Sequence, residues 1–120
     1  MAASDHLAPQ QFGAYTLHAD RADRIITATH PDTEHLGSIG HLSWVRTVEG
    51  DSTGRSSARV GDVYVSPGHR GNGLATAMYH MATRATGRPL AHSAYRTDAG
   101  EGWARSVGGA MPPRKEAGRE

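Results

Sequence analysis

The sequence predicts a mixed α/β domain that is antiparallel in its front half. Three observations carry that reading. Short stretches rich in β-branched residues, separated by turn signals, occupy the first half of the chain. At Leu74 the apolar pattern changes to helical spacing, with Leu74, Met78, Met81 and Ala85 on one stripe. Between the two regimes lies a glycine-rich turn, Arg70-Gly71-Asn72-Gly73, directly after Val65-Ser66-Pro67.

The elements follow in order. Residues 1–11 are polar and read as a flexible leader. Tyr15 to Ala19 is a short strand candidate. Arg24 to His30 is a clearer one, because Ile25, Ile26, Thr27 and Thr29 favour a pleated surface. His30-Pro31-Asp32-Thr33 supplies a turn. Ser38 to Val48 reads as the next strand, with Ile39, Leu42, Trp44 and Val45 as its apolar content. The stretch 49–57 is a polar loop, and Ala58 to Ser66 is a strand through Val60, Val63 and Val65. The helix that opens at Leu74 ends at Thr86-Gly87-Arg88-Pro89, where a C-terminal glycine precedes a proline. Leu90 to Arg96 is a further strand candidate. Asp98 with Glu101 has capping-box spacing and begins a short helix, with Trp103 and Val107 on one face and Gly108-Gly109 as its stop. The expected order is four strands, a helix, a strand and a helix. The strands flanking the long helix form a parallel pair through a right-handed crossover. The polar, proline-broken segment 110–120 reads as a disordered tail, so the folded domain is expected over 12–109.

Bulk composition narrows the function classes. The chain has 120 residues, 37% of them hydrophobic, with 15 glycines, which suits one small, turn-rich domain with a lean core. The net charge of +1 gives no general drive toward nucleic acid or a membrane surface, so neither is expected as a partner. The absence of cysteine excludes disulfides, thiolate metal sites and a cysteine nucleophile. No apolar run reaches the length of a membrane span and the first residues do not form a secretory signal, so a cytoplasmic location is expected. His30, His35 and His41 fall close together, but their spacing matches no strong zinc pattern, and no metal is expected.

The glycine-rich turn is the sharpest chemical signal. A glycine loop at a helix N-terminus leaves backbone N–H groups aimed one way, with the positive end of the helix dipole behind them, which favours an anion such as phosphate. A Walker loop is excluded because no Gly-x-x-x-x-Gly-Lys-Ser/Thr run occurs. A dinucleotide fingerprint fits poorly, since Gly71-Asn72-Gly73 is followed by Leu74-Ala75-Thr76 without a third glycine. A plain strand-to-helix turn is the competing account.

The run Arg70-Gly71-Asn72-Gly73-Leu74-Ala75, with Val65-Ser66-Pro67 ahead of it, resembles the acetyl-CoA-binding motif of the GNAT N-acetyltransferase superfamily, Arg/Gln-x-x-Gly-x-Gly/Ala. The resemblance covers about 12–109 and is sharp over 60–86. It implies a GNAT-like acyl-CoA N-acyltransferase fold: a mixed, mostly antiparallel sheet, one long central helix and a short C-terminal helix. Acetyl-CoA is the implied cosubstrate and an amine the implied acceptor. The backbone of Gly71, Asn72, Gly73, Leu74, Ala75 and Thr76 would hold the pyrophosphate. Arg70 would shape the loop or touch phosphate, and the backbone of Val63 and Val65 would pair with the pantetheine arm. Two departures stand out. Between Ala19 and Arg24 there is no room for the helices that larger members carry between their first two strands, so the N-terminal helices are lacking. The family's usual acid, a Tyr in the last helix, is replaced by Ala104 in Ala104-Arg105-Ser106-Val107-Gly108-Gly109.

Candidate catalytic groups are therefore sought elsewhere. His41, beside the motif strand, suits a general base because histidine titrates near neutrality. Asp62 on the motif strand is a second candidate, or a turn or edge residue. Tyr95, Ser93 or His92 are candidates for the missing acid. Trp103 is a docking residue or part of an acyl pocket. Arg84 and Arg88 are surface charges or contacts for the adenosine phosphate. The function expected first is N-acetyl transfer from acetyl-CoA to a primary amine. The alternative is a non-catalytic acyl-CoA-binding module of the same fold. A third reading is an interaction domain that pairs edge strands Tyr15–Ala19 and Leu90–Arg96 between two copies.

Overall fold

The computed structural model describes residues 8–47, 57–87, 90–92 and 98–108. Within them five strands form one sheet whose spatial order follows the chain: β1 (Gln10–Phe12), β2 (Tyr15–Asp20), β3 (Ile25–Thr29), β4 (Gly40–Thr47) and β5 (Ser57–Val65). Each neighbouring pair is antiparallel. Two helices follow, α1 (Leu74–Thr86) and α2 (Asp98–Val107).

Strand alternation sorts the side chains onto two faces. Leu17 and Ala19 of β2, Ile26 and Ala28 of β3, and Leu42 and Trp44 of β4 are buried on one face. There they meet Leu74, Met78, Met81 and Ala82 of α1. Leu17, Ile26, Leu42 and Met78 are completely buried. Each such side chain stabilises the fold by roughly 1.5–3 kcal/mol relative to exposure. α1 starts after Gly73 and stops at Gly87, both left-handed at φ 84° and 82°. An L side chain is strained in that region, which is why glycine closes both ends.

The β4–β5 ladder contains an irregularity that decides which groups β5 presents at its outer edge. Its register runs from Gly40↔Val65 to Ser43↔Asp62, then resumes at Trp44↔Val60, leaving Gly61 as an extra residue. A Cβ at Gly61 would lie 3.3 Å from Ser43 Oγ. Before this bulge Ala58 and Val60 turn to the core; after it Val63 and Val65 do.

The structure differs from the sequence reading in several places. Gln10 and Gln11, expected in the leader, belong to β1, so among the described residues five strands precede α1 where four were expected. A three-residue strand has no period of its own; its pairing with β2 creates it. β2 lies between β1 and β3, so the expected edge strand at Tyr15–Ala19 is an interior one. The β2–β3 connection is a tight turn, with Asp23 N–H donating to Asp20 Oδ1 at 3.0 Å and Arg24 left-handed at φ 57°. Of the expected strand 90–96, Ala91 makes a parallel bridge to Arg59, with Val60 N–H on Ala91 O at 2.8 Å and Ala91 N–H on Ala58 O at 3.1 Å. Residues 93–97, with Ser93 and Tyr95, lie outside the described residues, as do Arg88, most of the leader, the tail and the Asp98–Glu101 side-chain contact. No helix among the described residues is long and apolar enough to cross a membrane.

Candidate functional site

At the C-terminal end of β5 the chain passes through a short 3-10 turn at Pro67–His69 and enters the glycine loop. Gly71 and Gly73 are left-handed, at φ 82° and 84°. A Cβ at Gly71 would meet nothing within 4 Å, and one at Gly73 only Phe12 Cζ at 3.6 Å. Both glycines therefore border open space into which backbone N–H groups can point. The first helical bond of α1 is Ala77 N–H to Gly73 O at 3.0 Å. The N–H groups of Leu74, Ala75 and Thr76 come before it, and Gly73 at the N-cap has no side chain with which to cap them. Val65, His69, residues 70–76 and Trp103 line a concavity of about 240 Å³ over these groups. An anion with a short apolar arm suits that combination of open N–H groups and an indole wall.

Arg70 braces the base of the loop. Its Nε donates to Val65 O at 2.7 Å, and its guanidinium lies 5.8 Å from the centre of the Tyr64 ring. Ser66 N–H donates to Ile39 O at 2.8 Å, in continuation of the β4–β5 register. Antiparallel alternation then turns the backbone of Tyr64 and Asp62 toward β4 and that of Val63 and Val65 outward. The contact from Arg70 to Val65 O agrees with this direction. Val63 thus presents an N–H and a carbonyl, and Val65 an N–H, along the outer edge of β5. The bulge at Gly61 makes this possible: Ala58 O and Val60 N–H also face outward, onto Ala91, so an unbroken alternation would have turned Asp62 and Tyr64 outward instead.

His41 and Asp62 come together on the other face of the sheet. His41 Nε2 lies 2.7 Å from Asp62 Oδ2 across the β4–β5 ladder. The pair is partly solvated, with side chains 32% and 68% exposed, so it contributes at most about 1 kcal/mol to stability. Its arrangement leaves His41 Nδ1 as the nitrogen opposite the carboxylate. Tyr64 stacks against the imidazole at 5.9 Å. His30 and His35 lie elsewhere: His30 packs against Tyr15, and His35 is exposed in a short turn.

A third group closes the helical side. Trp103 Nε1 donates to Thr76 Oγ1 at 3.1 Å, tying α2 to the first turn of α1. His92 is buried and stacks on Tyr79 at 5.3 Å, with Trp103 edge-on to both rings. His92 Nε2 lies 2.6 Å from Gly108 O, and the Tyr79 hydroxyl donates to Leu90 O at 2.7 Å. Burial raises the Tyr79 phenol above its ordinary pKa, and the hydrogen bond to Leu90 O offsets part of that rise. Ala104, in the place of the expected tyrosine, is fully buried. Arg84 hydrogen-bonds Gln10 across α1 and β1.

Sequence reasoning missed Tyr15 and His69. The Tyr15 hydroxyl receives a hydrogen bond from Asn72 Nδ2 at 2.7 Å and lies 2.9 Å from His69 Nδ1. His69 sits one residue before Arg70, and that adjacency was the only local signal for it.

No family model matches the chain, and no curated protein matches it. Solved structures do. An acetyltransferase from Trypanosoma brucei superposes with a TM-score of 0.60 at 19% identity, over 83% of this chain and 72% of that one. A ribosomal-protein-alanine N-acetyltransferase from Brucella melitensis biovar Abortus 2308 gives 0.58 at 21% identity, over 92% and 72%. The mostly antiparallel five-stranded sheet with one long and one short helix is therefore the fold of the GNAT acetyltransferases.

Proposed function

We propose that this chain is an N-acetyltransferase that uses acetyl-CoA and a primary amine. The observation that carries the reading is the glycine loop 70–76 opening α1 beside the outward edge of β5, in a fold shared with acetyltransferases. Acetyl-CoA would supply an activated thioester. The backbone N–H groups from Gly71 to Thr76 would hold its pyrophosphate, with Arg70 fixing the loop through Val65 O. Val63 and Val65 would pair with the pantetheine arm, as an added strand pairs with a sheet edge.

The acceptor amine must lose a proton as it attacks. His41 is the base in this reading: Asp62 accepts from Nε2–H and so leaves the lone pair on Nδ1. Asp62 orients the ring and balances the charge it gains. The thiolate leaves without a tyrosine at 104, which is tolerable because thiols have pKa values near 8–9. Tyr95 stands as an acid candidate beyond the described residues, and cytoplasmic location remains part of the same proposal.

Release of free thiol from acetyl-CoA with a panel of primary amines tests the activity. We expect turnover in the wild type and a loss of about 10²-fold or more in His41→Gln. CoA binding without turnover toward any amine would favour the alternative, a non-catalytic acyl-CoA-binding module.

A further inference from the structure

The Asn72 amide in the anion loop is the end of a hydrogen-bonded chain that leads to a histidine. As the structure stands, Asn72 Nδ2 donates to the Tyr15 oxygen at 2.7 Å. The Tyr15 hydroxyl then has its own proton to give, and His69 Nδ1 lies 2.9 Å away to accept it. This direction requires a neutral His69 with its proton on Nε2. It leaves Asn72 Oδ1, an acceptor, as the amide end not engaged with Tyr15. Asn72 and His69 line the same concavity as Gly71 and Gly73.

The chain has a second self-consistent direction. A protonated His69 donates from Nδ1 to the Tyr15 oxygen, Tyr15 donates to Asn72 Oδ1, and the amide turns over. The disengaged end is then the NH₂ group, a donor suited to phosphate. We propose that His69, Tyr15 and Asn72 form a proton-coupled relay that sets which end of the Asn72 amide faces the anion loop, so that protonation of His69 strengthens anion binding there. The three act as positioning residues, and the proposal rests on the reading of 70–76 as an anion site.

The groups facing His69 are few among the described residues. Tyr15 comes from β2, with its ring edge-on at 5.5 Å. His30, following β3, lies 5.4 Å away and also 5.4 Å from Tyr15. Its Nδ1 accepts from Asp32 N–H at 3.1 Å, with Asp32 Oδ2 at 3.8 Å. Arg70, next in the chain, is engaged with Val65 O and Tyr64. His30 is thus a second imidazole within reach of the same proton, and the midpoint has to be read from His69 itself.

Two measurements on the full chain test the relay. The first is NMR of the Asn72 side-chain amide and the His69 ring from about pH 5.5 to about pH 8, the range in which histidine changes charge. The Asn72 signals should move with the His69 midpoint. In Tyr15→Phe, His69 should still titrate while Asn72 no longer follows. Asn72 signals that ignore pH in the wild type, or that follow His69 equally in Tyr15→Phe, overturn the relay. The second is the affinity for dephospho-CoA, whose pyrophosphate diester keeps a constant charge across this range, unlike a phosphate monoester with its second pKa near 6. We expect binding about two- to fivefold tighter at the acidic end, the scale of one exposed charge interaction, and no such trend in His69→Gln. Measurable binding with a flat profile in the wild type overturns the effect on affinity. No binding at any pH overturns the anion-site reading itself, while the amide titration still decides the relay.

Discussion

On one face of the sheet Leu17, Ile26 and Leu42 lie completely buried under α1. One residue away along the same strands, His18, Thr27 and His41 stand on the other face, in register across β2, β3 and β4. The first set is apolar and packed, and the second is polar and partly solvated. The difference teaches how a chain this small divides its work. The core face supplies stability and holds the glycine loop at the head of α1. The other face is partly solvated and stands to contribute less to stability, which leaves it room for the His41–Asp62 pair proposed above as base and orienting carboxylate.

The largest test of that division is a pair of neighbours on β4. Leu42→Ala should destabilise the fold by about 2–5 kcal/mol in a urea titration, because a fully buried side chain leaves a cavity. His41→Ala should cost under about 1 kcal/mol in the same experiment. Comparable losses at both positions would break the two-face account.

Tyr79 gives an intermediate effect and a pH signature. Tyr79→Phe leaves Leu90 O without its close hydroxyl donor and should cost about 1–3 kcal/mol. In the native state burial holds the phenol protonated to higher pH than in the unfolded chain. Above about pH 10 the unfolded state has released that proton while the native state still keeps it. Stability should therefore fall as pH rises past that point, and Tyr79→Phe should remove this part of the alkaline decline. An unchanged alkaline slope in the variant would place its cause elsewhere.

The smallest stability effect belongs with a large effect on activity. Asp62→Asn should shift the thermal midpoint little, since the carboxylate is mostly exposed. The same change should lower turnover, because the base would lose the group that orients it. Asp62→Asn with full turnover would remove the His41–Asp62 pair from the chemistry and leave the sheet face as plain polar surface.

Much of the fold was legible because it rests on local rules. The limits of α1 follow from glycines at 73 and 87 and from the stripe Leu74, Met78, Met81. β3, β4 and β5 follow from β-branched runs bounded by turns. β1 was hidden, since Gln10-Gln11-Phe12 has no pattern until β2 pairs with it. The site divides the same way. The glycine loop is contiguous, and its residue types state its geometry. The meeting of His41 with Asp62 depends on a register interrupted at Gly61, and no local pattern reports a bulge. The Tyr15–His69 contact joins residues 54 positions apart, which only the finished sheet brings together.

The central claim is that the loop at 70–76 holds the pyrophosphate of CoA, and calorimetric titration of CoA into the wild type and Gly73→Val tests it most directly. A branched side chain at φ 84° strains the backbone and fills the space that the anion would approach. Circular dichroism identifies a variant that stays folded, with Gly73→Ala as the milder substitution. The account predicts saturable binding in the wild type and its loss in the folded variant. Absence of binding in the wild type, or equal affinity in the variant, would contradict it.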